Sequence, residues 1–189
     1  MKLEELQKQI RRCKICRLPK ESYPLFQGNH NAKIMVISQA PSLKATQIGQ
    51  KWKDNLSGKT LRSWFGLADE VFYNENLIYL TALGKCYPGK GKGGDKLPNP
   101  ICAQKWLAKE IETLKPKLVV TVGKRSFSWF FPERDYDKSL AGKPLEWKGM
   151  NFFPLPHPSG ANNAWKTRNS GRLELIVRNL RKELRKWAR

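Results

Sequence analysis

Residues 34–42 read Ile34-Met35-Val36-Ile37-Ser38-Gln39-Ala40-Pro41-Ser42, four consecutive apolar residues that run straight into a small, polar, proline-containing turn. A continuous apolar run of this length fits a strand buried on both faces, as in parallel sheets. Three further runs share the pattern, at residues 76–83 (NLIYLTAL), 117–122 (KLVVTV) and 151–155 (NFFPL). Helical spacing fills the intervals. Leu3, Leu6 and Ile10 share one face of a helix over 3–12, and further helices are predicted at 57–67, 100–114, 124–131 and 171–187. The alternation is that of an α/β chain whose central, mainly parallel, four-stranded sheet is covered by helices on both faces.

The 189 residues, 40% of them hydrophobic, suffice for a single domain spanning 1–189 with a sizeable core. No run approaches the roughly 18 uninterrupted apolar residues of a membrane span. The start, MKLEELQKQIRR, is too charged for the apolar core of a signal peptide. A cytoplasmic monomer with no membrane partner is expected. Lys and Arg number 36 against 16 Asp and Glu, a net charge of +20, which points to a polyanionic partner. These cations are spread along the chain and not clustered beside an apolar anchor, which favours nucleic acid over phospholipid. Residues 89–100, rich in Gly and Lys, read as a mobile loop.

In open parallel sheets the ligand site lies beyond the carboxyl ends of the strands. The segments there are 38–42, 85–89, 123–125 and 157–160, all rich in polar residues, Pro or Gly. The four cysteines also fall at element ends: Cys13 and Cys16 form a CxxC pair after the first helix, and Cys86 and Cys102 are separated by fifteen residues. Disulfides are disfavoured in a cytosolic chain, so the four thiols suit a metal site, either a [4Fe–4S] cluster or tetrahedral zinc. Zinc sites usually pair two short knuckles, and the wide second spacing favours iron–sulfur; four separate buried thiols are the plain alternative.

Taken in order, these features resemble the iron–sulfur members of the uracil-DNA glycosylase superfamily, families four and five. The resemblance runs from Cys13 to about Arg172. It rests on CKICRL, the APx turn at 40–42, Gly49-Gln50-Lys51-Trp52 followed by Leu56-Ser57-Gly58, TALGKCYP at 81–88, Cys102 at a helix start, and His157-Pro158-Ser159-Gly160-Ala161-Asn162. It implies a three-layer α/β/α sandwich that flips a damaged nucleotide into a pocket at the strand ends and cuts its N-glycosidic bond. The substrate class is DNA carrying a damaged base, single- or double-stranded, handled in base excision repair. A [4Fe–4S] cluster on Cys13, Cys16, Cys86 and Cys102 would tie in the N-terminal helix.

Departure of the base puts negative charge on it and positive charge on the sugar, so such a site needs donors to the base, an aromatic face and a placed water. By the resemblance, His157 donates to the leaving base, Trp52 stacks on it, and Gln39 with the amides around Ala40 lines the pocket and places water. Pro41, Ser42, Lys85, Ser159 and Asn162 would approach DNA phosphates, and Trp165 with Arg168 lies in the loop that wedges into the duplex. Trp52 as ordinary packing and His157 as a satisfied core histidine are the plain readings.

The departures bear on chemistry. Ala82 stands where the family-four pattern has an asparagine reading the pyrimidine edge, and Gln39-Ala40 replaces a carboxylate. Asn55 and Lys59 stand where the family-five pattern has acids; Asp54, either a catalytic acid or a solvent-facing loop residue, is nearby. Ser57-Gly58-Lys59-Thr60 mimics a phosphate-binding loop, but Lys53 occupies the position that would need glycine, so it reads as a helix start. The leading reading is a DNA glycosylase acting on uracil first and hypoxanthine or xanthine second. A damaged-DNA-binding protein with weak or lost catalysis and a redox iron–sulfur protein are the rivals.

Overall fold

The computed structural model describes residues 1–53 and 55–187. Helix α1 (Leu3–Arg11) precedes β1 (Ile34–Ser38), α2 (Leu43–Ile48), α3 (Leu56–Phe65), α4 (Asp69–Phe72) and β2 (Ile78–Ala82). A short hairpin, β3 (Lys90–Gly91) and β4 (Gly94–Asp95), leads into a helix in three pieces: α5 (Pro100–Cys102), a π turn (Ala103–Leu107) and α6 (Ala108–Leu114). The chain continues with β5 (Leu118–Val122), α7 (Lys124–Phe130), α8 (Tyr136–Ser139), β6 (Leu145–Trp147) and β7 (Met150–Leu155). After a 3-10 turn at Gly160–Asn162 it ends in α9 (Asn163–Arg168) and α10 (Ser170–Arg185).

The sheet is ordered β2-β1-β5-β7-β6. The four predicted strands run parallel, with Ile34 opposite both Ile78 and Leu118, and Leu118 opposite Asn151. The expected count of four is corrected to five among the described residues. Strand β6 adds an antiparallel edge, Leu145 opposite Phe152, turned through Lys148 and Gly149, both at positive φ (48° and 76°), as a two-residue hairpin demands. The segment expected to be a mobile loop at 89–100 instead contains the paired hairpin β3–β4, with Lys90 opposite Asp95.

Because strand side chains alternate faces, the apolar runs feed two cores. Met35, Ile37, Tyr79, Val119 and Phe152 pack with Leu3, Leu6 and Ile10 of α1, Leu107 and Ile111 of the three-piece helix, and Phe127 of α7. Ile34, Val36, Leu80, Val120 and Phe153 pack on the other face with Leu61 and Phe65 of α3 and Ile176, Leu180 and Leu184 of α10. The result is the three-layer α/β/α sandwich expected. Among the described residues no helix is long and apolar enough to cross a membrane.

From β1 the chain passes to β2 on one side and later to β5 on the other. That reversal opens a crevice at the carboxyl end of β1, where open α/β sheets bind ligands.

Candidate active site

A cavity of about 540 Å³ occupies this crevice. Gln39, Ala40, Pro41 and Ser42 line it from the turn after β1, Lys51 and Trp52 from the segment after α2, and His157 and Ser159 from the turn after β7. Seven of the expected residues therefore meet in one place. Ser42 also caps α2, its hydroxyl accepting from the Ala45 N–H at 3.1 Å, and Asn55 caps α3, its side-chain oxygen accepting from the Gly58 N–H at 2.6 Å. The expected helix start at 57–60 is thus correct.

His157 is held in one tautomer. Its Nδ1 accepts the Ser159 backbone N–H at 3.2 Å and lies 2.8 Å from the Ser159 hydroxyl. A backbone N–H can only donate, so Nδ1 carries no proton and the neutral ring bears its hydrogen on Nε2. Burial, helped by the nearby Lys166 cation, lowers the imidazole pKa and favours that neutral form. Gly123, just after β5 at φ +89°, makes room for the ring: a Cβ there would lie 3.1 Å from His157 Cδ2.

Trp52 faces His157 across the cavity, ring centroids 6.3 Å apart. Its backbone sits at φ +63°, a left-handed conformation that costs a bulky residue on the order of 1–3 kcal/mol and must be imposed by its surroundings. Helix α3 imposes it: Arg62 donates to the Trp52 carbonyl, and Gly58 lets that carbonyl approach so closely that a Cβ would lie 1.9 Å from it. Among the described residues the buried Trp52 indole nitrogen has no hydrogen-bond partner. Gly58→Ala is expected to force the Trp52 segment away, costing about 1–3 kcal/mol of stability and a larger fractional loss of activity. Urea unfolding alongside a rate measurement checks this, and a variant with normal stability and rate would contradict it.

Other expected site residues lie elsewhere. Lys85 is not a phosphate contact: its ammonium is buried, donating to Thr81 Oγ1 (2.7 Å), the Ala82 carbonyl (2.8 Å) and Glu110 Oε2 (2.5 Å). A lysine so committed to an interior carboxylate has no donor to offer DNA. Ala82 is fully buried at the end of β2 and is not among the described residues that line the cavity. Asn162 and Trp165 line an adjoining depression that shares His157. There the Asn162 amide donates to the His157 carbonyl at 3.1 Å, and the Trp165 indole donates to Asp137 at 3.2 Å. Arg168 is exposed on α9. Asp54 lies outside the described residues.

Two charged cavity residues were not anticipated. One is Asp95, which reaches it from the hairpin beside Lys96 and is the one carboxylate among the described lining residues. The other is Lys51, 2% exposed. Burial and repulsion from Lys85, offset in part by Glu110, pull its pKa down to about 7. Exposed Lys124 and Arg125 border a neighbouring depression shared with Gln39, so the rim of the site is basic.

The four cysteines line a second cavity, about 640 Å³, beside the first. The Cys102 sulfur accepts the Lys85 backbone N–H at 3.3 Å, and the Cys13 sulfur accepts the Trp106 indole N–H at 3.4 Å. Burial pushes the Cys86 thiol up to about 12, and the charges of Cys102, Cys13 and Cys16 add to the effect, so the four sulfurs sense one another. Among the described residues no group of three or more His, Cys, Asp or Glu side chains is gathered so as to hold a metal ion. The donor set nevertheless suits an iron–sulfur cluster: four soft sulfurs around one roomy cavity, two of them receiving N–H groups.

Among known proteins, the type-4 uracil-DNA glycosylase of Saccharolobus solfataricus is 26% identical over 171 residues, covering 84% of this chain and 76% of that one. The type-5 uracil-DNA glycosylase of Pyrobaculum aerophilum is 26% identical over 177 residues, 85% of this chain and 73% of that one. A DNA polymerase of Bacillus phage SP01 is 27% identical over 136 residues, 70% of this chain but only 14% of the polymerase. The family model described as the uracil DNA glycosylase superfamily matches residues 25–181, a span that holds β1, the cavity and the turn bearing His157, and the chain belongs to that superfamily.

Proposed function

We propose that this protein hydrolyses the N-glycosidic bond between a deaminated base and deoxyribose in DNA, with uracil as its first substrate and hypoxanthine or xanthine as its second. The observation that carries the reading is the fixed tautomer of His157, whose Nδ1 is engaged by Ser159 while Nε2 has no partner among the described residues. A donor fixed before reaction stabilises charge that appears only as the bond breaks, and it pays no reorganisation cost at that moment. Trp52 offers its ring to the flipped base. Gln39 positions the water that captures the sugar cation, with Asp95 as the nearby carboxylate. Ser42, Ser159 and the basic rim at Lys96, Lys124 and Arg125 engage phosphates.

Cys13, Cys16, Cys86 and Cys102 would hold a [4Fe–4S] cluster. When bound, the cluster supplies a structural tie between the segment after α1, the segment after β2 and α5. Cys86→Ala is expected to lose iron, melt at lower temperature and bind DNA more weakly, yet release base at close to the normal rate once saturated. A protein containing stoichiometric zinc and no iron would overturn the cluster, and a variant that folds and binds normally but loses catalysis would overturn its structural role.

The functional reading is tested by single-turnover incubation with labelled oligonucleotides carrying uracil, hypoxanthine or xanthine, followed by alkaline cleavage of abasic sites. Base release from at least one supports it. Binding to all without release from any would instead identify a damaged-DNA-binding protein that kept the fold.

A further inference from the structure

Lys51 is a buried lysine, 2% exposed. Its backbone N–H is satisfied by Gln27 Oε1 at 3.3 Å, but among the described residues its ammonium has no hydrogen bond or ion pair. Lysine is almost never fully buried unless paired, and an unpaired buried charge is costly. Glu110, the carboxylate whose charge reaches Lys51 in the interior, is already taken: it accepts from Lys85, Tyr79 and Thr81. The open space beside its side chain is the cavity that it lines together with Gln39, Trp52 and His157, and a hydrogen-bond acceptor bound there would restore the charge.

Resting on the function proposed above, we infer that Lys51 is a specificity-determining and catalytic residue, whose ammonium hydrogen-bonds a carbonyl oxygen of the flipped base and holds negative charge there as the glycosidic bond breaks. Ala82 offers no polar side chain for this task. An ammonium has three donors and no acceptor, so at the position of O4 of uracil or O6 of hypoxanthine it pairs with the carbonyl and is mismatched with the exocyclic amino group that cytosine or adenine carries there; O6 of xanthine fits likewise. In the reaction the bonding pair of the C1′–N bond leaves with the base. Water gives its hydroxyl to C1′ and its proton to solvent, and solvent protonates the freed base anion. Lys51 keeps its own proton throughout, as a charge-assisted hydrogen-bond donor.

Among the described residues the charged groups that face Lys51 are Lys85 and Glu110 in the interior, and His157, Asp95 and Lys96 around the cavity. With its pKa near 7, the ammonium is lost over the alkaline range in the free enzyme. The experiment compares wild type, Lys51→Met and Lys51→Arg in single-turnover uracil release from pH 6 to 9, with cytosine release as control. Wild type is expected to slow as the pH rises above about 7. Lys51→Met should be about 10²-fold slower at pH 6 and free of that alkaline decline; Lys51→Arg, which stays charged, should carry its activity to pH 9. A Met variant with the wild-type rate and profile would overturn the inference while leaving the glycosylase reading intact. Should Lys51→Met fail to fold, the Arg profile decides: a sustained alkaline rate supports the inference, and a wild-type decline overturns it. Wild-type inactivity toward every substrate would overturn the glycosylase reading and this inference with it.

Discussion

His157→Ala is expected to lower single-turnover base release by about 10²–10³-fold, the usual cost of removing one donor aimed at developing charge, while leaving DNA affinity nearly unchanged. The ring meets the cavity on one edge and Ser159 on the other, so its loss removes an interaction made chiefly in the transition state. The substitution should also change stability with a definite sign. Burial and Lys166 hold the folded pKa of His157 below 6.5, so as the pH falls past 6.5 the unfolded chain takes up the proton first. Native stability attributable to this group is therefore full above 6.5 and is lost as the pH falls through the folded value. His157→Ala should be less acid-sensitive than wild type in that window. Rate measurements and thermal melts across it check both effects, and an unchanged rate would remove His157 from the chemistry.

The largest expected effect on stability comes from Glu110→Ala. Lys85 and Glu110 are 1% and 0% exposed as side chains, and the same carboxylate accepts from the Tyr79 hydroxyl at 2.9 Å and from Thr81. Removing it strands a buried ammonium and takes the acceptor from the Tyr79 and Thr81 hydroxyls, at a cost of about 3–5 kcal/mol, or roughly 6–20 °C in melting temperature for a chain of this size. Replacing both partners, Lys85→Met with Glu110→Leu, should recover much of the loss, because an apolar pair avoids the desolvation penalty. Denaturant unfolding of the single and double variants tests this; a single variant within 1 kcal/mol of wild type would mean that the pair carries little.

The frame of the fold was legible because each central strand is a continuous apolar run, and such runs have few alternatives. Strand β6 was not: Leu145-Glu146-Trp147 is too short to show periodicity, and its Lys148-Gly149 turn is a weak form of the hairpin signal. The turn residues of the site were legible too, since strand ends in a parallel sheet converge. Lysines were misread for one reason: sequence assigns them to solvent, and burial depends on what lies across the fold. A signal for Lys85 did exist. Glu110 falls among Trp106, Leu107, Ile111 and Leu114 on the apolar face of its helix, and an acid there calls for an interior cation. For Lys51 and Asp95 no such signal stands in the local sequence, because their places are set by the turn after α2 and by the hairpin folding over the strand ends.

The most direct test of the central claim is to incubate excess protein with a strand carrying one uracil and to count both free uracil and abasic sites. One free uracil for each abasic site, in proportion to time and with the backbone uncut before alkali, is the expected result. A strand that is bound yet keeps its uracil would contradict it.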